Sequence, residues 1–129
     1  MSLTQSKPRS LRALLLGITC TLMPLTAAAA DSPGNPGYVQ DIVLNGTKSE
    51  VYMQYQGAVI LLEGDTVSAV RREYRWGGSV CSGIAASDEQ VRYLFEAMRA
   101  GKSLQIVPSY KLGAGGARCL VALKIRLRP

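Results

Sequence analysis

The chain has 129 residues, with 15 Lys and Arg, 9 Asp and Glu and no His, which gives a formal net charge of +6. The absence of His removes the commonest general base and a common metal ligand. Neither a Gly-x-Ser-x-Gly motif nor a phosphate-binding loop followed by Lys-Ser/Thr occurs. We therefore expect no enzyme, no cofactor and no metal site.

The N-terminus has the three parts of a secretory signal peptide. Three basic residues come first, an apolar stretch covers 13–25, and small residues at Ala28 and Ala30 suit a signal peptidase. The alternative is a membrane anchor, but a spanning helix needs about 20 apolar residues, and this stretch is shorter and contains Pro24. We predict that residues 1–30 are a signal peptide and that the exported protein is secreted or periplasmic, with no membrane span after cleavage.

Cleavage after Ala30 leaves 99 residues with 12 basic and 9 acidic side chains, a net charge of +3, because three basic residues leave with the signal. So small an excess does not favour nucleic acid as a partner. Cys81 and Cys119 remain, and two thiols in an exported protein predict one disulfide. It would close a loop of about 38 residues and stabilise the domain by about 3–4 kcal/mol.

The exported chain begins with a segment rich in Pro and Gly and continues with the pattern of strands. Residues 31–37, Asp-Ser-Pro-Gly-Asn-Pro-Gly, predict a flexible leader. Residues 38–129 then form a single small disulfide-bonded domain. Apolar runs bounded by turn signals predict three strands, at 38–44, at 50–62 with a bend or bulge at Gly57, and at 66–76.

A helix follows, and its start is the clearest local signal in the chain. Ser87 and Gln90 fit a capping box, and Gly101 is typical of the residue that ends a helix. An apolar stripe at helical spacing predicts the buried face, formed by Val91, Leu94, Phe95 and Met98.

Two more strands are predicted after the helix. A short one covers 104–108, and a loop containing 111–116 leads to the last. Alternation in the last strand predicts that Cys119, Val121, Leu123, Ile125 and Leu127 face the core, and that Leu120, Ala122, Lys124, Arg126 and Arg128 face largely outward. Cys119 would then meet Cys81 just before the helix. The basic outward residues are typical of a protected sheet edge, although they would also suit an anionic envelope polymer.

The order of these elements is three strands, one helix and two strands. It predicts a mainly β domain with one helix, an OB-like five-stranded barrel in which the helix plugs the gap between the third and fourth strands. The alternative is an open α+β sheet with one packed helix.

A family resemblance comes from the stretch 81–127: a cysteine, a capped helix ending in Ala-Met-Arg-Ala-Gly-Lys, a short strand and a final strand that begins with a cysteine. This arrangement resembles small secreted bacterial proteins of uncharacterised families. The helix and short strand of this stretch, from Ser87 to Ile106, also resemble the binding subunits of bacterial AB5 toxins of the subtilase cytotoxin type. The resemblance covers about 45 of the 99 exported residues. It implies an OB barrel, assembly as a pentamer and binding of host glycans, but the glycan-contacting positions of that family have no match here, so no site residue is carried over.

The densest polar and aromatic cluster lies in the third predicted strand. Alternation places Arg72, Tyr74 and Trp76 on one face, and a flat aromatic face with hydrogen-bonding side chains suits a sugar. The other possibility is that Tyr74 and Trp76 cap the barrel while the arginines are solvated. We therefore expect an exported binding module that recognises a glycan or another surface ligand. The alternative is a monomeric periplasmic factor with a structural or protein-interaction role.

Overall fold

A computed structural model describes Gly17 and residues 30–64 and 67–129, so the rest of the predicted signal peptide lies outside the described residues. The helix α1 covers Asp88–Arg99, and short 3-10 turns occur at Gly101–Ser103 and Ala114–Gly116. The strands are β1 (Ser32–Pro33), β2 (Tyr38–Leu44), β3 (Gly57–Glu63), β4 (Val70–Trp76), β5 (Leu104–Leu112) and β6 (Arg118–Leu127).

The strands form one mixed sheet in the order β1-β5-β6-β4-β3-β2. All neighbours are antiparallel except β4 and β6, which run parallel and pair through Arg75 and Cys119. The prediction of a mainly β domain with one helix is confirmed. The open sheet with one packed helix, the alternative considered from the sequence, fits this arrangement.

The segment 31–37, for which we predicted a flexible leader, runs along β5. Ser32 and Pro33 pair with β5 as β1, and the backbone N–H of Gly34 donates to the carbonyl of Pro108 at 2.9 Å. Gly37 exchanges two backbone hydrogen bonds with Ile106, at 2.9 and 2.8 Å. The next residue, Tyr38, begins β2 and pairs with β3. One continuous piece of chain therefore contacts both β5 and β3.

The predicted strand at 50–56 is wrong. Residues 50–54 form turns, in which the N–H of Tyr52 donates to the carbonyl of Ser49 at 3.1 Å and that of Gln54 to the carbonyl of Val51 at 2.9 Å. The side-chain amide of Asn45 donates to the carbonyl of Tyr55 at 2.9 Å and holds the end of this loop. These local hydrogen bonds replace the ladder that alternation predicted, and extended pairing begins only at Gly57.

The capping box of α1 is confirmed. The Ser87 hydroxyl accepts from the N–H of Gln90 at 3.1 Å, and the Gln90 side chain accepts from the N–H of Ser87 at 2.9 Å. The buried face differs from the predicted stripe, since Leu94 and Ala97 are the fully buried residues while Phe95 remains 38% exposed. The core is formed by Val39, Val59, Leu61, Tyr74, Trp76, Leu94, Ala97, Ile106 and Leu120.

A bulge in β6 adds Leu120 to the buried residues of this strand. Ser109 of β5 pairs with Ala122, but the next residue, Tyr110, pairs with Leu120, so Val121 is an extra residue in the ladder. The extra residue shifts the alternation by one between the bulge and Arg118, whereas beyond it Leu123 and Ile125 pack against the core as predicted. Leu120, predicted to face outward, is therefore buried. At the far end of the strand Leu127, predicted to face the core, is 75% exposed, so both predictions are wrong.

The predicted disulfide between Cys81 and Cys119 is confirmed, with a sequence separation of 38. Both half-cystines are buried. The bond ties the segment before α1 to the start of β6, at the residue where β6 pairs with β4.

Candidate functional site

The structure separates the three residues predicted to bind a ligand. Trp76 is 3% exposed, and its indole lies against Gly57, where a Cβ atom would come within 2.4 Å of the ring. Tyr74 is 1% exposed, and Arg72 is half-buried. The two aromatic rings belong to the core and form no exposed stacking surface, because this face of β4 is the inner face of the sheet. Trp76 lines none of the cavities described below.

Arg72 and Tyr74 nevertheless line one small cavity of about 90 Å³, which we call the recess. It lies beside β4 where the ends of β3 and β5 and the start of β6 meet the segment before β2. Its other lining residues are Pro33, Gly34, Asn35, Glu63, Tyr110 and Arg118.

The carboxylate in the recess is already bound by protein groups. Oε2 of Glu63 accepts from the side-chain amide of Asn35 at 3.4 Å and lies 3.5 Å from Nε of Arg72. Arg118 differs, since it forms no ion pair within 30–64 and 67–129. Its guanidinium lies over the ring of Tyr110, 5.6 Å from the centroid. The recess therefore contains a guanidinium with unused hydrogen-bond donors.

The hydroxyl of Tyr74 reaches the recess although the rest of its side chain is buried. A Cβ atom at Gly34 would lie 2.5 Å from this hydroxyl, so only a glycine allows the leader to pass so closely. The ring lies 5.8 Å from that of Tyr110 at an interplanar angle of 60°. The hydroxyl forms no hydrogen bond with another described residue. Burial raises the pKa of Tyr74 above 10.0, with a further contribution from the charge of Glu63, so the phenol remains a neutral donor.

A larger opening, which we call the cleft, adjoins the recess through Arg72 and Arg118 and has a volume of about 400 Å³. One wall is β4, from Arg71 to Arg75. The other is the loop between β5 and β6, residues 113–117, which we call the cleft loop. The cleft is lined by Arg71, Arg72, Glu73, Arg75, Ala114, Gly115, Gly116, Ala117 and Arg118.

Besides Arg72, two other cleft arginines form ion pairs with neighbouring carboxylates. Arg71 forms an ion pair with Asp41 at 2.9 Å, and Arg75 pairs with Glu73. The guanidinium of Arg75 also lies 4.3 Å from the ring centroid of Tyr55. The β4 wall thus contributes three guanidiniums and the carboxylate of Glu73 to the opening, and Arg118 of β6 adds a fourth guanidinium.

The disulfide region anchors the cleft loop. The N–H of Ala114 donates to the carbonyl of Val80 at 3.0 Å. Gly113 packs so closely on this region that a Cβ atom would lie 2.2 Å from the Val80 oxygen and 2.5 Å from Sγ of Cys119. The cleft loop therefore contains a 3-10 turn that is attached to the segment before α1.

Sequence reasoning missed Glu63, Tyr110 and Arg118. The sequence analysis assigned Arg118, which directly precedes Cys119, to neither face of the last strand. The parallel pairing of Arg75 with Cys119 brings Arg118 beside β4, and no local pattern in the sequence indicates that pairing.

No family model, curated protein or solved structure matches the chain. The described residues include no group of three or more His, Cys, Asp or Glu side chains that could hold a metal ion. Within the same ranges no helix is both long enough and apolar enough to cross a membrane.

Proposed function

We propose that the chain is an exported, non-catalytic binding module with an OB-like barrel, and that it binds a glycan or another surface ligand in the cleft. Two hydrogen bonds between Gly37 and Ile106 support the barrel, since they join β5 to the chain that continues into β2. If β1 and β2 are counted as one interrupted first strand, five strands follow each other in the order expected of an OB fold.

The position of the cleft carries the proposal. With that count, β4 is the third strand and the cleft loop joins the fourth strand to the fifth. OB folds bind oligosaccharides and oligonucleotides on the face of their second and third strands, flanked by this loop. The cleft lies between β4 and this loop, and its volume of about 400 Å³ is within the range of small-molecule sites. The modest net charge of the exported chain favours a glycan over a nucleic acid.

We test the proposal with a variant in which a large side chain blocks the cleft. The full chain is expressed with its predicted signal peptide, and the exported protein is applied to a printed array of neutral and acidic glycans. Ala114→Trp places a large ring at the mouth of the cleft, and Ala122→Trp places the same ring on exposed β6 as the matched control. We expect array binding by the parent and the control and a loss of about tenfold or more in Ala114→Trp. Equal binding by both variants, or no binding by the parent, would contradict the proposal.

A protein-interaction factor is the second candidate function, and the exposed aromatic residues of α1 favour it. Tyr93 and Phe95 are exposed on either side of the buried Leu94, and the Tyr93 hydroxyl donates to Glu89 at 3.1 Å. The native molar mass of the exported protein, measured by light scattering, bears on both candidates. A fivefold mass supports a toxin-like pentamer that binds glycans, and a monomer with a partner cross-linked through this helix face supports the interaction factor.

A further inference from the structure

We propose that the recess binds an oxyanion, a phosphate or sulfate ester carried by a surface glycan, with Arg118 and Tyr74 as its principal donors. This inference rests on the proposed function for the place of binding. It adds the chemical class of the group that enters the recess.

The first argument is a surplus of donors. Arg118 offers guanidinium N–H groups that no carboxylate of the described chain accepts, and the Tyr74 hydroxyl has no hydrogen-bond partner there either. Both groups open into the recess, so a ligand that enters it meets donors that the protein leaves available. A ligand oxygen can accept from both groups, which a cation or an apolar group cannot do.

The second argument is the charge of the recess. Two guanidiniums, of Arg72 and Arg118, and one carboxylate, of Glu63, line it. Glu63 is engaged by Arg72 and Asn35. The recess therefore has an excess of one positive charge, located at Arg118. Charge-assisted hydrogen bonds from arginine to an anion are about twice as strong as neutral ones.

The third argument concerns the shape of the anion. The donors belong to separate side chains on two strands, with Arg72 and Tyr74 on β4 and Arg118 on β6. A planar carboxylate is satisfied by the fork of one guanidinium. An ester of phosphate or sulfate presents oxygens in several directions, and donors that come from two strands suit it better. The recess volume of about 90 Å³ is enough for one such group.

The cleft provides room for the rest of the ligand. Arg72 and Arg118 line both openings, so a group bound in the recess continues directly into the cleft. The ester group is thus expected to anchor the ligand, while the sugar lies along β4 and the cleft loop.

The experiment compares four forms of one polymer, one unmodified and three with different charged substituents. Unmodified dextran, dextran sulfate, dextran phosphate and carboxymethyl-dextran, the charged three at equal charge density, are immobilised and titrated with the exported protein at fixed salt. The variants are Arg118→Gln and Tyr74→Phe, which retain most of the packing of each side chain. Lys124→Gln is the matched control, because it also removes one positive charge from β6 but lies outside both openings.

We expect the parent to bind the sulfate or phosphate polymer at least about tenfold more tightly than the carboxymethyl polymer. Arg118→Gln should weaken that binding by about tenfold or more, while Lys124→Gln should change it by less than about threefold. Arg118→Lys, which retains the charge without the planar fork, should restore only part of the affinity. Thermal unfolding of each variant checks that the fold is intact.

Three results would overturn the oxyanion inference: preference for the carboxymethyl polymer, equal losses in Arg118→Gln and Lys124→Gln, or no binding of any charged polymer. The glycan array separates this failure from failure of the proposed function. If the parent binds neutral glycans and Ala114→Trp abolishes that binding, the cleft binds a ligand that carries no oxyanion. If neither the array nor the polymers bind, both proposals fail.

Discussion

The disulfide between Cys81 and Cys119 gives the sharpest test of how the domain is held together. Its sequence separation of 38 corresponds to a loss of about 3.9 kcal/mol of stability on reduction, if the bond acts by restricting the unfolded chain. For a domain of this size each kcal/mol shifts the unfolding midpoint by about 4–8 °C. We therefore expect reduction, or the double change Cys81→Ala with Cys119→Ala, to lower the midpoint by about 15–30 °C.

Breaking the disulfide should also loosen the cleft loop. Cys119 lies where β6 pairs with β4, and Val80, next to Cys81, accepts the hydrogen bond from Ala114 of the cleft loop. Once the covalent tie is broken, that hydrogen bond and the packing of Gly113 against Val80 are the contacts that still join the cleft loop to the segment before α1. Amide hydrogen exchange in 113–117 should accelerate more than exchange in β2 and β3.

The assay is thermal unfolding followed by circular dichroism, on oxidised protein and on protein whose two free thiols have been counted after reduction. Exchange is measured on the same two samples. Identical midpoints for the oxidised and the verified reduced forms would refute the loop-entropy reasoning. A lower midpoint with unchanged exchange at the cleft loop would refute the anchoring role alone.

Three further predictions concern single residues. Gly113→Ala should cost about 3 kcal/mol, because its Cβ meets the Val80 oxygen at 2.2 Å, whereas Gly115→Ala, with φ of 67° and open space around it, should cost about 1 kcal/mol in denaturant unfolding. Ser87→Ala should lower the free energy of unfolding by about 1 kcal/mol and reduce the protection of the amides in the first turn of α1 against hydrogen exchange. The raised pKa of Tyr74 favours the neutral phenol in the folded state, so its contribution is full below pH 10.0 and is lost as the pH rises through the folded pKa. Stability of the parent should thus fall in alkali, and Tyr74→Phe should flatten that fall; an equal fall in both would contradict the assignment.

The elements that the sequence predicted well are those whose signals are local. The strand Tyr38–Leu44 and the capped start of α1 depend on residues a few positions apart, so their patterns are visible without a partner. The disulfide followed from the count of two cysteines in the exported chain. Cleavage near Ala30 and export remain predictions from the same kind of local pattern.

The candidate site was predicted in part. Arg72 and Tyr74 were selected for lying on one face of a strand, and that alternation does bring both to the recess. The same alternation selected Trp76, which is buried over Gly57. Periodicity tells which residues share a face, but it does not tell which part of that face another element covers.

Only the tertiary structure decided the rest, because it depends on hydrogen bonds between distant parts of the chain. The extra residue Val121 shifts the alternation at the start of β6, where Leu120 becomes buried, and it is recognisable only from its pairing with β5. The parallel contact of Arg75 with Cys119 brings Arg118 to the recess from more than 40 positions away in the sequence. By itself the sequence determined the local elements and the covalent tie, while long-range backbone pairing determined which polar side chains meet.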